Sequence, residues 1–367
     1  MTPATAAALR CPVCGGPLLL AGRSLRCARA HSFDLAKEGY AYLLPMQKKH
    51  AADPGDGKAM VRARRAFLSA GHYAPLMATL AALCAALPHD HIVDAGCGEG
   101  SYDKYLYDAL GCPQIAAFDL SKEAVRLASK LVPDAAFCVG GSFCAPVRDG
   151  WADLLLNIFS PMAEAEFARM LRPGGHLVYA VPTARHLFGL KEILYDCPYE
   201  NEVRQTEYDG FAFVKAVEST AVITLEGQSV QDLFAMTPYY WNTPADGAAR
   251  LAECESLTTE IGFRFLVYQK GINVRAFPRG GRWPRPRPRP DEGRACDVSP
   301  CTGCLRKLAL HQSPAATASP AGGSLFTLGQ HRIIPALRLK RRSDGCGTAS
   351  ALPKCSIIHK VLSALLA

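Results

Sequence analysis

An apolar run, His91–Ala95, leads directly into Gly96-Cys97-Gly98-Glu99-Gly100 and then into a helical pattern from Tyr102 to Leu110. Three glycines at alternate positions suit neither a strand nor a helix interior, so the chain must turn tightly between one and the other. Bare backbone at the carboxyl end of a strand lets a ligand lie close to it. The spacing is not the G-x-G-x-x-G of a phosphate-binding dinucleotide turn. The same alternation continues downstream. Gln114–Leu120, Ala136–Val139, Ala152–Phe159 and His176–Val181 read as strands, with helices over Lys122–Leu131 and Ala163–Leu171. Thr220–Leu225 and Phe263–Tyr268 add two strands, with helices at Leu187–Tyr195 and Ser229–Met236. Seven strands with helices between them predict an α/β, doubly wound, Rossmann-like domain over 91–270.

Ahead of it lies a different texture. Cys11-Pro12-Val13-Cys14 is followed by Cys27 and His31, a C-x2-C-x12-C-x3-H pattern. Paired ligands on two tight turns suit tetrahedral zinc, and Gly15-Gly16 lets the first turn close. A segment of this size cannot bury enough apolar surface alone, so the metal supplies folding energy. Four protein ligands leave no open position, which makes the zinc structural. The expected organisation is a zinc-binding module over 1–45, a basic and helical connector over 46–90, the α/β domain over 91–270, and a tail over 271–367.

The tail carries the chain's basicity. Of 41 Lys+Arg and 33 Asp+Glu, residues 271–367 hold 16 and 4, so the net charge of +8 says little about the body. The run Arg282-Trp283-Pro284-Arg285-Pro286-Arg287-Pro288-Arg289-Pro290 and the lack of periodicity predict disorder there. Cys296, Cys301 and Cys304 lack a fourth ligand at suitable spacing. The 15 cysteines, most of them single in apolar runs, fit free thiols in a reducing compartment. No apolar leader precedes the zinc pattern and no stretch nears the ~20 residues of a membrane span. A cytoplasmic protein without membrane contact is expected.

With Asp94 two residues before Gly96, the turn reads D-x-G-x-G-x-G. It resembles the first motif of S-adenosylmethionine (SAM)-dependent methyltransferases, which makes Asp94, Gly96, Gly98 and Gly100 cofactor contacts. Asp119, at the end of the second strand, either accepts the ribose hydroxyls of a nucleoside cofactor or caps the next helix beside Ser121. Ser142 stands after the third strand where many such enzymes have an acid. Arg172-Pro173-Gly174-Gly175 resembles the turn before their fifth strand.

Longer runs narrow the choice. Cys27-x3-His31-Ser32-Phe33-Asp34, Ala36-Lys37-Glu38-Gly39-Tyr40, Asp53-Pro54-Gly55-Asp56, Ala63-Arg64-Arg65-Ala66-Phe67-Leu68, Gly71-His72-Tyr73, Arg185-His186-Leu187 and Met236-Thr237-Pro238 join the two modules. Over residues 10–270 the chain resembles the bacterial 23S ribosomal RNA (guanine-N1)-methyltransferases, a family that includes macrolide-resistance enzymes. The resemblance implies zinc on Cys11, Cys14, Cys27 and His31, SAM contacts from Tyr73, Gly98, Glu99 and His186, a 23S rRNA substrate, and a homodimer whose zinc modules help form an RNA-binding cleft. It does not extend into the tail.

Guanine N1 carries a proton that must leave, so a base or a group stabilising the O6 anion is expected. Asn157 and Ser160, after the fourth strand, are the catalytic candidates for gripping the base edge, with Phe159 able to stack on a flipped base. The alternative is a buried strand end with a satisfied amide. Lys48, Lys49, His50, Arg62, Arg64 and Arg65 read either as phosphate contacts or as a solvated face. Tyr239, Tyr240 and Trp241 read as a stacking platform or as core.

Overall fold

The computed structural model describes residues 1–45, 55–203 and 206–271. Lys48, Lys49, His50 and the readings made for the tail lie outside the described residues. In chain order the elements are α1 (Pro3–Ala6), β1 (Leu19–Ala21), β2 (Ser24–Arg26), β3 (Ser32–Asp34), β4 (Ala41–Tyr42), α2 (Lys58–Ser69), α3 (Ala74–Ala85), β5 (His91–Ala95), α4 (Ser101–Ala109), β6 (Gln114–Asp119), α5 (Lys122–Leu131) and β7 (Ala136–Val139). Then follow β8 (Ala152–Ile158), α6 (Glu164–Met170), β9 (Leu171–Pro182), α7 (Phe188–Leu194), β10 (Phe211–Glu226), α8 (Gln228–Ala235), α9 (Tyr239–Asn242), α10 (Ala245–Ala252) and β11 (Ser256–Lys270).

The main sheet runs β10-β11-β9-β8-β5-β6-β7-β4. Strands β4 to β9 in that sheet are mutually parallel, while β11 is antiparallel to β9 and β10 to β11. From β5 the chain winds outward through β6 and β7, then crosses back to β8 and β9. The reversal leaves a crevice outside the carboxyl ends of β5 and β8, where such sheets bind ligands.

The sheet has eight strands, not the seven expected. The eighth is β4, which comes from the zinc module and pairs in parallel with β7 through Ala41↔Cys138 and Tyr42↔Val139. Two residues are too short to show any period, yet they cover an edge that would otherwise be open. β10 and β11 also run far longer than their apolar centres, at 16 and 15 residues, because each pairs with the other along its whole length.

Alternate residues of each buried strand feed two cores. Ile92 and Ala117 join the cluster with α2, α3, α7 and α8, whereas Val93 and Ala116 face the opposite one. That second cluster contains Leu9, Leu18, Leu25 and Leu43 of the N-terminal module together with Phe167 of α6. The module thus covers one sheet face, where a doubly wound fold normally places helices. Burying each leucine stabilises the docking by about 1.5–3 kcal/mol.

No single helix among the described residues is long and apolar enough to cross a membrane. The one apolar pair, α2 and α3, bends by 81°. It turns its large side chains, Phe67, Leu76 and Leu80 among them, into the core.

Candidate active site and metal centre

Each half of the metal site is a turn. After Cys11, the amide of Gly15 donates to the Cys11 carbonyl at 2.9 Å and that of Cys11 to the Gly16 carbonyl at 2.7 Å. After β2, the Cys27 amide donates to the His31 carbonyl at 3.1 Å, with Ala30 forced to a φ of +63°. The hairpin β1–β2 and strand β3 bring the halves together. Ligand atoms of Cys11, Cys14, Cys27 and His31 all lie within 4.8 Å of one another. Cys14 Sγ is 3.6 Å from Cys27 Sγ, and His31 Nδ1 is 3.5 Å and 3.3 Å from the sulfurs of Cys11 and Cys27. Zinc bonds of about 2.3 Å to sulfur and 2.0 Å to nitrogen make a tetrahedron with edges of about 3.5–3.8 Å. The donor set and the separations therefore fit zinc.

The second site is a cavity of about 710 Å³ at the sheet's switch point. Gly96, Cys97, Gly98 and Glu99 line it after β5, Asp119 and Leu120 after β6, Gly140–Cys144 after β7, and Phe159–Pro161 after β8. Met60, Arg64 and Leu68 of α2 form a further wall with Met236–Tyr239. Gly96 has a φ of +90°, and a Cβ there would come within 2.5 Å of Ser160 Oγ, so only glycine lets the two turns meet.

Asp119 answers the alternative left open by the sequence. Its Oδ2 accepts from Gly98 N at 3.1 Å and its Oδ1 from Ser121 N at 2.7 Å, while Ser121, not Asp119, caps α5. The carboxylate ties the glycine turn to β6 and keeps lone pairs free toward the cavity. Asp94 lies behind it, 1% exposed, with Oδ1 buried and unpartnered. Burial, then the charge of Asp119, raises the Asp94 carboxyl to about 7. Burial also raises that of Asp119. An orphaned carboxylate oxygen on a cavity wall is a place for a ligand's donor or cation.

His186 and Tyr73 lie on the same wall. The amide of Gly262 donates to His186 Nδ1 at 3.1 Å, so the ring carries its proton on Nε2. Burial, with the charge of Lys191 second, pushes this histidine down to about 3. Tyr73 begins α3 and packs edge-on against Phe67 and Phe263. Its hydroxyl is raised well above the usual range by burial and stays protonated.

Two expectations are corrected. Asn157 does not reach a base edge: it is fully buried, does not line the cavity, and its Nδ2 donates to the Pro161 carbonyl at 3.2 Å, bracing the turn. It is a buried strand end, as the alternative had it, but the amide is only half satisfied, since Oδ1 is buried without a partner. Arg64 and Arg65 do not stand on an open solvated face: α2 packs along the cavity and both are partnered within the chain. Arg64 bonds Asp56 and the Met236 carbonyl, and Arg65 bonds Glu99 at 2.9 Å. Glu99 lines the cavity with its carboxylate held by Arg65 and by the Ser101 amide. Ser160 does line the cavity, next to Gly96.

Phe159 sits at the cavity mouth, 46% exposed, with a φ of +52°. A bulky residue held there stores strain, which clusters at functional sites. Its ring meets Phe263 edge-on at 4.5 Å. Tyr239 lines the cavity, whereas Tyr240 and Trp241 are exposed, Trp241 to 70%.

Sequence reasoning missed Lys191. Fully buried, its Nζ donates to the Tyr199 carbonyl at 2.9 Å and Asn201 Oδ1 at 2.8 Å, and sits 4.2 Å above the Tyr199 ring. Burial lowers it to about 8. Asn201 in turn donates to the carbonyls of Thr183 and His186. A charged residue within the Leu187–Tyr195 helix pattern was the only signal.

A zinc ribbon docked on a doubly wound sheet with a glycine-turn cavity defines a class, the zinc-ribbon methyltransferases. A zinc-ribbon family model described as "RlmA, N-terminal" matches residues 9–52, and a "Methyltransferase domain" model matches 93–179. The "23S rRNA (guanine(748)-N(1))-methyltransferase" of Streptomyces fradiae is 36% identical over 66% of this chain and 89% of its own length. Proteins of Micromonospora griseorubida and Bacillus subtilis (strain 168) carry 23S rRNA (guanine-N(1)-)-methyltransferase as an assigned name. The first is 36% identical over 71% of this chain and 97% of itself, the second 32% over 71% and 96%. The chain belongs to the 23S rRNA (guanine-N1)-methyltransferase family.

Proposed function

We propose that the protein transfers a methyl group from SAM to N1 of a guanine in 23S ribosomal RNA. The observation that carries this is the cavity at the β5/β8 switch point in a chain of this family. When bound, SAM supplies an electrophilic methyl group. In-line transfer then depends chiefly on positioning.

Each lining residue has a part. Asp119 accepts the ribose hydroxyls with the lone pairs its two amide bonds leave free. Asp94 takes up a donor through its unpartnered oxygen. Gly96 and Gly98 keep the floor bare, with Glu99 held by Arg65, while Gly100, expected as a cofactor contact, lies outside the lining and lets the turn pack on Ala128 of α5. Tyr73 and His186 donate as neutral groups, and His186, with Nδ1 occupied, cannot act as a proton acceptor. Phe159 stacks on the flipped guanine and Ser160 hydrogen-bonds its edge, on a turn that Asn157 braces. Zinc on Cys11, Cys14, Cys27 and His31 holds the ribbon.

The finer readings are a homodimer and a cytoplasmic enzyme, both supported by the family resemblance. Light scattering on the purified protein should give twice the chain mass. The activity is tested with methyl-labelled SAM and 23S rRNA lacking base methylation, followed by nucleoside analysis. Label in 1-methylguanosine is expected. Label confined to other nucleosides, or to none, contradicts the proposal.

A further inference from the structure

Four carboxyls line the cavity: Asp56, Asp94, Glu99 and Asp119. Against them stands one side chain of fixed positive charge among the described lining residues, Arg64. It projects from α2, with Nη1 donating to Asp56 Oδ2 at 2.5 Å and Nη2 to the Met236 carbonyl at 3.1 Å. Those bonds use two of five N–H groups. The side chain remains 26% exposed. A Cβ added to Gly98 would lie 3.8 Å from Nη1, so the guanidinium stands over the bare glycine turn. Its charge is felt at Tyr73, Tyr102 and Asp119, which line the same cavity.

This inference rests on the reading that the cavity holds SAM. The adenosine of SAM is neutral, and its sulfonium and ammonium groups are positive. Its single anionic group is the carboxylate of the methionyl end. Asp94 and Asp119 suit the cationic groups and the ribose, Asp56 and Glu99 are paired with arginines, and an ionised acid repels a carboxylate. We propose that Arg64 binds the SAM carboxylate through its remaining N–H groups, while Asp56 and the Met236 carbonyl keep the guanidinium in place. Anchoring at both ends settles the rotamer before the ligand arrives, so little side-chain freedom is lost on binding. Asp56 also offsets the charge when the cavity is empty, avoiding an unpaired cation on a half-buried wall.

The rival role is a latch that merely ties α2 to the α8–α9 turn. Two ligands separate the roles. S-adenosylhomocysteine keeps the carboxylate. 5′-Methylthioadenosine has the same nucleoside and thioether but no amino-acid end. Titration calorimetry of both against wild type and Arg64→Met should show the Kd for S-adenosylhomocysteine rising about 10- to 100-fold. That for 5′-methylthioadenosine should stay within about twofold. The missing ammonium group cancels, because each ligand is compared between the two proteins.

Equal weakening of both ligands makes Arg64 a latch and overturns the proposal, and so does no change for either. Should Arg64→Met lose its cooperative melting transition, Arg64→Lys gives the same reading. It keeps the charge but not the planar fork, and its preference for S-adenosylhomocysteine should fall several-fold, whereas an unchanged preference overturns the proposal. If wild type binds neither ligand, the SAM reading itself fails, an outcome distinct from any variant result.

Discussion

The ribbon and the cavity are opposite kinds of site. In the ribbon, four ligand atoms face one point and each is matched by the others, so one metal ion completes it. In the cavity, groups are left unmatched: Asp94 Oδ1 has no partner, Asp119 keeps open lone pairs, and Phe159 holds a strained backbone at the mouth. A closed site filled by one resident ion contributes stability, while an open one with unmet demand waits for a ligand that comes and goes. The two are joined by packing, since β4 extends the methyltransferase sheet and Leu9, Leu18, Leu25 and Leu43 share a core with its strands.

The sharpest way to break the comparison is Asp119→Ala. The change removes the proposed ribose contact and the two bonds that tie Gly98 and Ser121 to β6. SAM affinity should fall about 100-fold or more in a calorimetric titration. Loss of the metal should be as severe for stability and milder for the cofactor. Chelation, or Cys27→Ser, should lower the melting temperature by about 10 °C, with SAM affinity within a few-fold of normal. A melting curve indifferent to chelator would deny the ribbon its structural role.

A third effect lies within the cavity. Because His186 is pushed down to about 3, the unfolded chain binds a proton between pH 6.5 and 3 that the native chain refuses. The contribution is fully present above pH 6.5 and is lost as pH falls, by up to about 1.4 kcal/mol per pH unit. Asp94, raised to about 7, acts in the opposite sense between pH 3.8 and 7. The useful quantity is therefore the difference between wild type and His186→Asn. In urea unfolding from pH 7 to 5, wild type should lose more stability than the variant, and parallel losses would mean that His186 titrates normally. The smallest effect should come from Lys191→Met. Freeing Asn201 loosens the His186 turn, so KM for SAM should rise several-fold while kcat holds, and Lys191→Arg should restore part of it. A fall in kcat with KM unchanged would speak against a positioning role.

Legibility in the sequence followed locality. Lys122–Leu131 and Ala136–Val139 were readable to the residue, because Ser121 caps the helix and the strand is a bounded apolar run. The zinc ligands were readable because both pairs are short-range. Asp119 was placed, but its choice between cap and ligand needed the Gly98 and Ser121 amides. Asn157 was misread because register in a strand decides which way a side chain faces, and the strand's apolar run hides that register. Arg64 reads, with Arg62 and Arg65, as a phosphate contact or a solvated face, and only the packing of α2 beside the cavity distinguishes it. The strand β4 depends on β7, distant in the chain, and Lys191 on a turn 8 and 10 residues ahead whose path no helix or strand period reveals.

One measurement bears most directly on the central claim. N1 lies on the pairing edge of guanine, so its methylation blocks base pairing and halts reverse transcription. Primer extension along 23S rRNA, after incubation with SAM and either wild type or Asp119→Ala, should give a strong stop beside a single guanine with wild type and none with the variant. Methyl incorporation without a stop, or a stop that Asp119→Ala leaves unchanged, would contradict the account.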